Sequence, residues 1–103
     1  MELELEKTAR GLKVSGEMTV YAAATLKPAL LAELIAERDG IELDLSLVRE
    51  FDTSGLQLLL LLQRESRVLN RKLQLTGCSP AVRGVLELCC QKSLLEAIQG
   101  AAS

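Results

Sequence analysis

Ile41-Glu42-Leu43-Asp44-Leu45 and Leu73-Gln74-Leu75-Thr76 carry the same signal, an apolar side chain at every second residue, with helical periodicity between them. Alternation places one row of side chains on each face of a β-strand, whereas a period near 3.6 residues marks an amphipathic helix. Strands that alternate with helices at spacings of 20 to 30 residues need crossover connections, and crossovers build a mostly parallel sheet. The chain is therefore expected to be a small α/β domain spanning 1–103.

The flanking elements extend this order. Leu3 and Leu5 alternate with glutamates, and Leu12 with Val14 resume the pattern after a turn at Gly11, before Gly16 ends it. So short a connection predicts an N-terminal antiparallel hairpin. From Thr19, a candidate N-cap, Ala23, Leu26, Leu30 and Leu34 with Ala24, Leu31 and Ile35 fall on one broad helical stripe. Pro28 either kinks that helix or marks its true first turn, with Thr25 near the cap; Gly40 stops it. After the strand at 41–45, Leu47, Val48 and Phe51 read as a connecting loop, and a second helix opens at Asp52-Thr53-Ser54-Gly55 and runs to about Leu69. Gly77-Cys78 reads as a turn, and Ser79-Pro80 as cap and first-turn proline of a third helix with a stripe of Val82, Val85, Leu86 and Cys89. Leu94, Leu95 and Ile98 read as a short strand or turn leading into a last helical piece. The order is β-β-α-β-α-β-α.

Composition excludes more than it suggests. Of the 103 residues, 23 are leucine, aromatics make up 2% and histidine is absent. The absence removes the commonest general base and metal ligand together, and so few aromatics leave almost nothing to stack on a nucleobase. With a net charge of −2, a bulk positive field for nucleic acid is not expected either. No phosphate-cradling glycine loop occurs. Cys78, Cys89 and Cys90 lack the spacing of a zinc or redox pair and read as small apolar side chains. The start has no signal-peptide pattern, and the longest strongly apolar run, Leu58 to Leu62, is far short of a membrane span. A cytoplasmic chain with no cofactor, no metal and no catalytic residue is the expectation.

One segment carries a mechanism. Ser54 with Gln57 three residues on fits a capping box at the start of the second helix. The same geometry also exposes a hydroxyl at a helix N-terminus, where a phosphoryl group would meet free amides and the positive end of the dipole. Asp52, and Asp44 if it lies close by at the end of the third strand, would repel that group and change the local field for a partner. Arg64, Arg67 and Arg71 recur on one face further along, in a chain whose residues 1–50 carry six basic and ten acidic side chains and whose residues 51–103 carry six and four. That run reads as a solvated helix face or as a docking site for an acidic partner.

Leu43-Asp44-Leu45, Phe51-Asp52-Thr53-Ser54-Gly55-Leu56 and Leu75-Thr76-Gly77-Cys78-Ser79-Pro80-Ala81-Val82 resemble a STAS domain, the family of sulphate transporters and anti-sigma factor antagonists. The resemblance covers nearly the whole chain. It implies a small α/β sandwich, with a mostly parallel sheet and helices packed on it. It also implies that Ser54 is phosphorylated by a partner serine kinase doubling as an anti-sigma factor, with Thr53 a secondary acceptor and Asp52 and Gly55 shaping the loop. Thr19 stands where many antagonists carry an aspartate, so the chain looks closest to stand-alone STAS proteins of chemosensory clusters.

Two functions follow from the resemblance. One is a non-enzymatic regulatory module switched at Ser54, whose partner is a protein kinase, an anti-sigma factor or a sensor regulator. Its surface would centre on the start of the second helix, including Leu56 and Gln57, with the loop after Gly16 and Thr19 beside it. The other is a constitutive STAS subunit of a phospholipid-transport ATPase complex, docked through Leu56, Leu59 and Leu60.

Overall fold

The computed structural model describes residues 3–89. The tail with Leu94, Leu95 and Ile98 lies outside the described residues. The elements are β1 (Glu4–Lys7), β2 (Gly11–Met18), α1 (Val20–Ala36), β3 (Ile41–Phe51), α2 (Thr53–Val68), β4 (Leu73–Cys78) and α3 (Pro80–Leu88). They form one sheet in the order β1-β2-β3-β4. β1 pairs with β2 antiparallel, with Lys7 opposite Leu12, while β2–β3 and β3–β4 are parallel. The expected order and mixed sheet are those observed.

The alternation explains the layering. Leu12, Val14 and Met18 on β2, Leu43 and Leu45 on β3, and Leu75 on β4 are buried and join one apolar cluster with side chains of all three helices, and Ile41 at the start of β3 is buried as well. Lys13, Glu42, Asp44 and Gln74 fall between them in sequence and register across the sheet, on its other face. Each fully buried leucine contributes about 1.5–3 kcal/mol of hydrophobic free energy, and leucine carries most of this core. β1 is an edge strand with all four residues exposed. Leu3 rests partly on the core, and Leu5, opposite Val14, stays 37% exposed on this edge strand.

Several boundaries differ from the expectation. Gly11 is the first residue of β2, not the turn, and packs directly on the Glu42 backbone; the turn is Thr8–Arg10, closed by the Thr8 amide donating to the Gly11 carbonyl at 2.9 Å. β2 continues past Gly16, whose φ of 95° lies at a register shift rather than at a strand end. β3 has no loop after residue 45. It runs on to Phe51 with two extra residues against β2, since Lys13 and Ser15 face Asp44 and Leu47, and Gly16 and Glu17 face Val48 and Glu50. The first extra residue reverses the alternation, so Val48 turns inward and Leu47 stays 51% exposed. Gly77 and Cys78 belong to β4, paired with Asp44 and Leu45.

The helices also narrow. Thr19 is the N-cap of α1, and Pro28 lies inside the helix. Pro28 and Ala24, whose carbonyl it leaves without an amide donor, are both exposed, so water can satisfy that carbonyl. Only Ala22, Leu26, Leu30 and Leu34 are buried, one ridge at a spacing of four. Ile35 is 58% exposed, because α1 packs mainly on β2 and α2 along its buried ridge. α3 starts as its sequence predicts: Ser79 Oγ accepts from the Val82 amide at 3.2 Å, with Pro80 in the first turn.

Candidate functional site

β2 and β3 end level, with Met18 opposite Phe51, and α1 and α2 begin within two residues of those ends. Their N-termini are thus neighbours. The residue that joins them is Asp52, the N-cap of α2. Its Oδ1 accepts from the Ser54 amide at 2.9 Å and the Gly55 amide at 3.3 Å, and its Oδ2 accepts from the Val20 amide of α1 at 3.3 Å. One carboxylate therefore satisfies amides of two helices, with its charge at the positive ends of both dipoles.

This assignment replaces the capping box. Asp52, not Ser54, is the cap, and Thr53, Ser54 and Gly55 are the first three residues of the helix. An aspartate accepts these amides with a full negative charge, which outcompetes a neutral serine oxygen one turn position later. Among the described residues the Ser54 hydroxyl makes no hydrogen bond. Ser54 is half-buried, and Thr53 and Gln57 are exposed.

Gly55 fixes how close α2 comes to the sheet. A Cβ there would lie 2.5 Å from the Met18 carbonyl oxygen and 2.7 Å from the Phe51 ring. Leu56 behind it is buried in the core. Thr19 does not cap α1 with its side chain; its hydroxyl donates to a Glu17 carboxylate oxygen at 3.4 Å. Beside this junction Val20 is 58% exposed and Tyr21 90% exposed. Sequence reasoning passed over both. The available signal was the chain's single tyrosine, set on the first turn of a helix and off the stripe of Ala23, Leu26, Leu30 and Leu34.

Asp44 does not belong to this cluster. β3 is continuous from Ile41 to Phe51, and eight residues at about 3.3 Å each put Asp44 on the order of 20–25 Å from Asp52. Asp44 instead accepts from the Ser46 amide at 2.9 Å. Burial raises its pKa, but the Ser46 hydroxyl and amide and the Lys13 charge prevail and hold it below the usual carboxylate value. Gly77 leaves the space for this carboxylate, since a Cβ there would come within 2.7 Å of Asp44 Oδ1.

The arginine run divides. Arg64 and Arg67 are exposed on α2, Arg64 lying 3.9 Å from Glu65. Arg71 is not on the helix, which ends at Val68. Its guanidinium donates to the Leu34 carbonyl at 2.9 Å and to the Ile35 carbonyl, in the last turn of α1. Nothing local announces that role, because donor and acceptors are more than thirty residues apart.

Leu59 is fully buried and Leu60 packs half-buried against the same cluster, so the leucines of α2 face their own core. Among the described residues no three carboxylate or thiol groups converge as metal ligands, and no helix is long and apolar enough to cross a membrane.

The fold is similar to that of the anti-sigma factor antagonist SpoIIAA in its unphosphorylated form, with a TM-score of 0.72 and 21% identity over 95% of this chain and 86% of that one. An anti-sigma factor antagonist from Mycobacterium paratuberculosis gives 0.73 and 21% over 89% and 80%. No curated relative matches the chain. The family model described as Mlab, STAS domain matches residues 1–96, and the chain belongs to that STAS family.

Proposed function

We propose that this protein is a non-enzymatic regulatory binding module that docks a cytoplasmic protein partner through the face where α1 and α2 begin, and that phosphorylation of Ser54 releases it. The free hydroxyl of Ser54 carries the reading: Asp52, not Ser54, does the capping, so the hydroxyl is available for modification. A partner serine kinase would transfer the γ-phosphoryl group of ATP to Ser54 Oγ, forming the O–P bond as ADP leaves and taking up the hydroxyl proton. The product adds about −1.5 to −2 charge beside Asp52, on a face that also carries Val20 and Tyr21. The likeness in fold to anti-sigma factor antagonists supports a regulatory protein partner, and the resemblance of the Asp52-Thr53-Ser54-Gly55 segment implies a kinase that is also the bound regulator. Thr53 is the secondary acceptor, and Gln57 lies on the same exposed edge.

The test is phosphopeptide mapping across residues 50–64 from native cells, joined to capture of partners by wild-type, Ser54→Ala and Ser54→Asp proteins. Phosphate on Ser54, with capture kept by Ser54→Ala and lost by Ser54→Asp, is the expected result. Unmodified peptide at full coverage under several growth and stress conditions overturns the switch.

The exposure of Val20 and Tyr21 favours a second reading, a constitutive STAS subunit of a phospholipid-transport ATPase complex. Its anchors would be these two side chains rather than Leu56, Leu59 and Leu60, which are engaged by the core. In that case Tyr21→Glu abolishes capture and Ser54→Asp leaves it intact.

A further inference from the structure

We propose that Asp52 is a positioning residue that transmits a phosphoryl group on Ser54 to the first turn of α1, so that modification of one helix is read at Val20 and Tyr21 on the other. The inference deepens the switch reading and rests on it for its biological use. Its physical basis is the division of one carboxylate between two helices. Oδ1 is held by the Ser54 and Gly55 amides, and Oδ2 by the Val20 amide. Thr19 turns its hydroxyl to Glu17 and does not cap α1 with its side chain, so among the described residues Asp52 is the side chain seen to accept from the first turn of α1.

A phosphoserine at position 54 sits in the first turn of α2 and seeks the same amides that Asp52 Oδ1 now occupies. The phosphate has the larger charge and three acceptor oxygens. Two anions cannot share one helix N-terminus without mutual repulsion, so the carboxylate is displaced. As it moves, Oδ2 leaves the Val20 amide, and α1 loses the side-chain acceptor at its first turn. The first turn of α1 then frays, and the exposed Val20 and Tyr21 lose their fixed place. Charge repulsion at Ser54 and loss of a preformed apolar contact at Tyr21 would act together on a partner spanning both helices.

The experiment uses the full chain with phosphoserine incorporated at position 54 during synthesis, compared with the unmodified protein and with Asp52→Asn, by NMR amide exchange. Asparagine keeps one acceptor oxygen for Ser54 and Gly55 and offers Val20 only an NH2 group, which cannot accept. In the phosphorylated protein the Val20 amide is expected to exchange roughly fivefold faster, while the amide of buried Leu43 is unchanged. Asp52→Asn should show the same acceleration without phosphate, and phosphoserine in that background should add none. Equal Val20 exchange in the phosphorylated and unmodified proteins overturns the coupling, as does an acceleration that persists undiminished in Asp52→Asn. Because the phosphate is installed synthetically, absence of Ser54 phosphorylation in cells would sink the switch and leave this result standing. An unmoved Val20 would sink the coupling and leave the switch standing.

Discussion

Asp52 Oδ2 accepts from the Val20 amide at 3.3 Å across 32 residues of sequence. The contact exists because β2 and β3 finish level, which sets the starts of α1 and α2 side by side. The same carboxylate thereby holds the first turns of two helices together.

Removing Asp52 costs more than removing Ser54. Asp52→Ala unmakes the caps of both helices and is expected to lower stability by about 1–2 kcal/mol. Ser54→Ala removes a hydroxyl with no hydrogen bond and should stay within about 0.5 kcal/mol of wild type. Urea unfolding of the two variants decides between Asp52 and Ser54 as the cap. The opposite ranking would restore the capping box.

Gly55→Ala sets two effects against each other. Alanine is favoured over glycine within a helix by roughly 0.5–1 kcal/mol. The added methyl, however, meets the Met18 carbonyl and the Phe51 ring, and overpacking of that kind costs about 1–3 kcal/mol. The backbone contact cannot give way, so the variant should melt at lower temperature than wild type. A stabilised variant would show that α2 can lift off the sheet freely.

The arginines should separate by what they touch. Arg71→Ala leaves the Leu34 and Ile35 carbonyls without their donor and is expected to cost about 1.5–3 kcal/mol. Arg67→Ala, on an exposed face, should change stability by no more than about 0.5 kcal/mol. If Arg67 instead matters to partner capture while stability holds, its role is docking.

Asp44 has a pKa below its ordinary value of 3.8 because the Ser46 hydroxyl and amide outweigh burial. A carboxyl shifted down stabilises the fold above its ordinary pKa, and that share is lost as pH falls through the lower folded value. Asp44→Asn should therefore melt below wild type at neutral pH, with the gap closing toward about pH 2. Thermal melts at several pH values check this; a gap independent of pH would mean the hydrogen bonds, not the charge, matter.

Cys78 offers a simpler measurement. Burial pushes its thiol pKa above the ordinary value, and the Arg83 charge offsets this only in part. Only the thiolate reacts with iodoacetamide, so Cys78 should alkylate more slowly at pH 8 in the folded protein than in urea. Equal rates would place it outside the core.

Periodicity in the sequence determined the element order, the mixed sheet and the identity of the core, because leucines at spacings of two and four face inward wherever a partner element exists. It also determined the Ser79-Pro80 start of α3, a cap whose donor lies three residues away. The tertiary structure decided what depends on neighbours remote in sequence. Two extra residues in β3 carried the strand through to Phe51 and reversed its alternation at Val48, which no local pattern marks. That extension removed Asp44 from the site and brought Asp52 to Val20. Arg71 likewise acquired its acceptors only when the end of α1 came to rest beside it. Asp-Thr-Ser-Gly at a helix start was legible as a site; which oxygen caps the helix, and which hydroxyl is thereby left free, was settled only once two strands ended side by side.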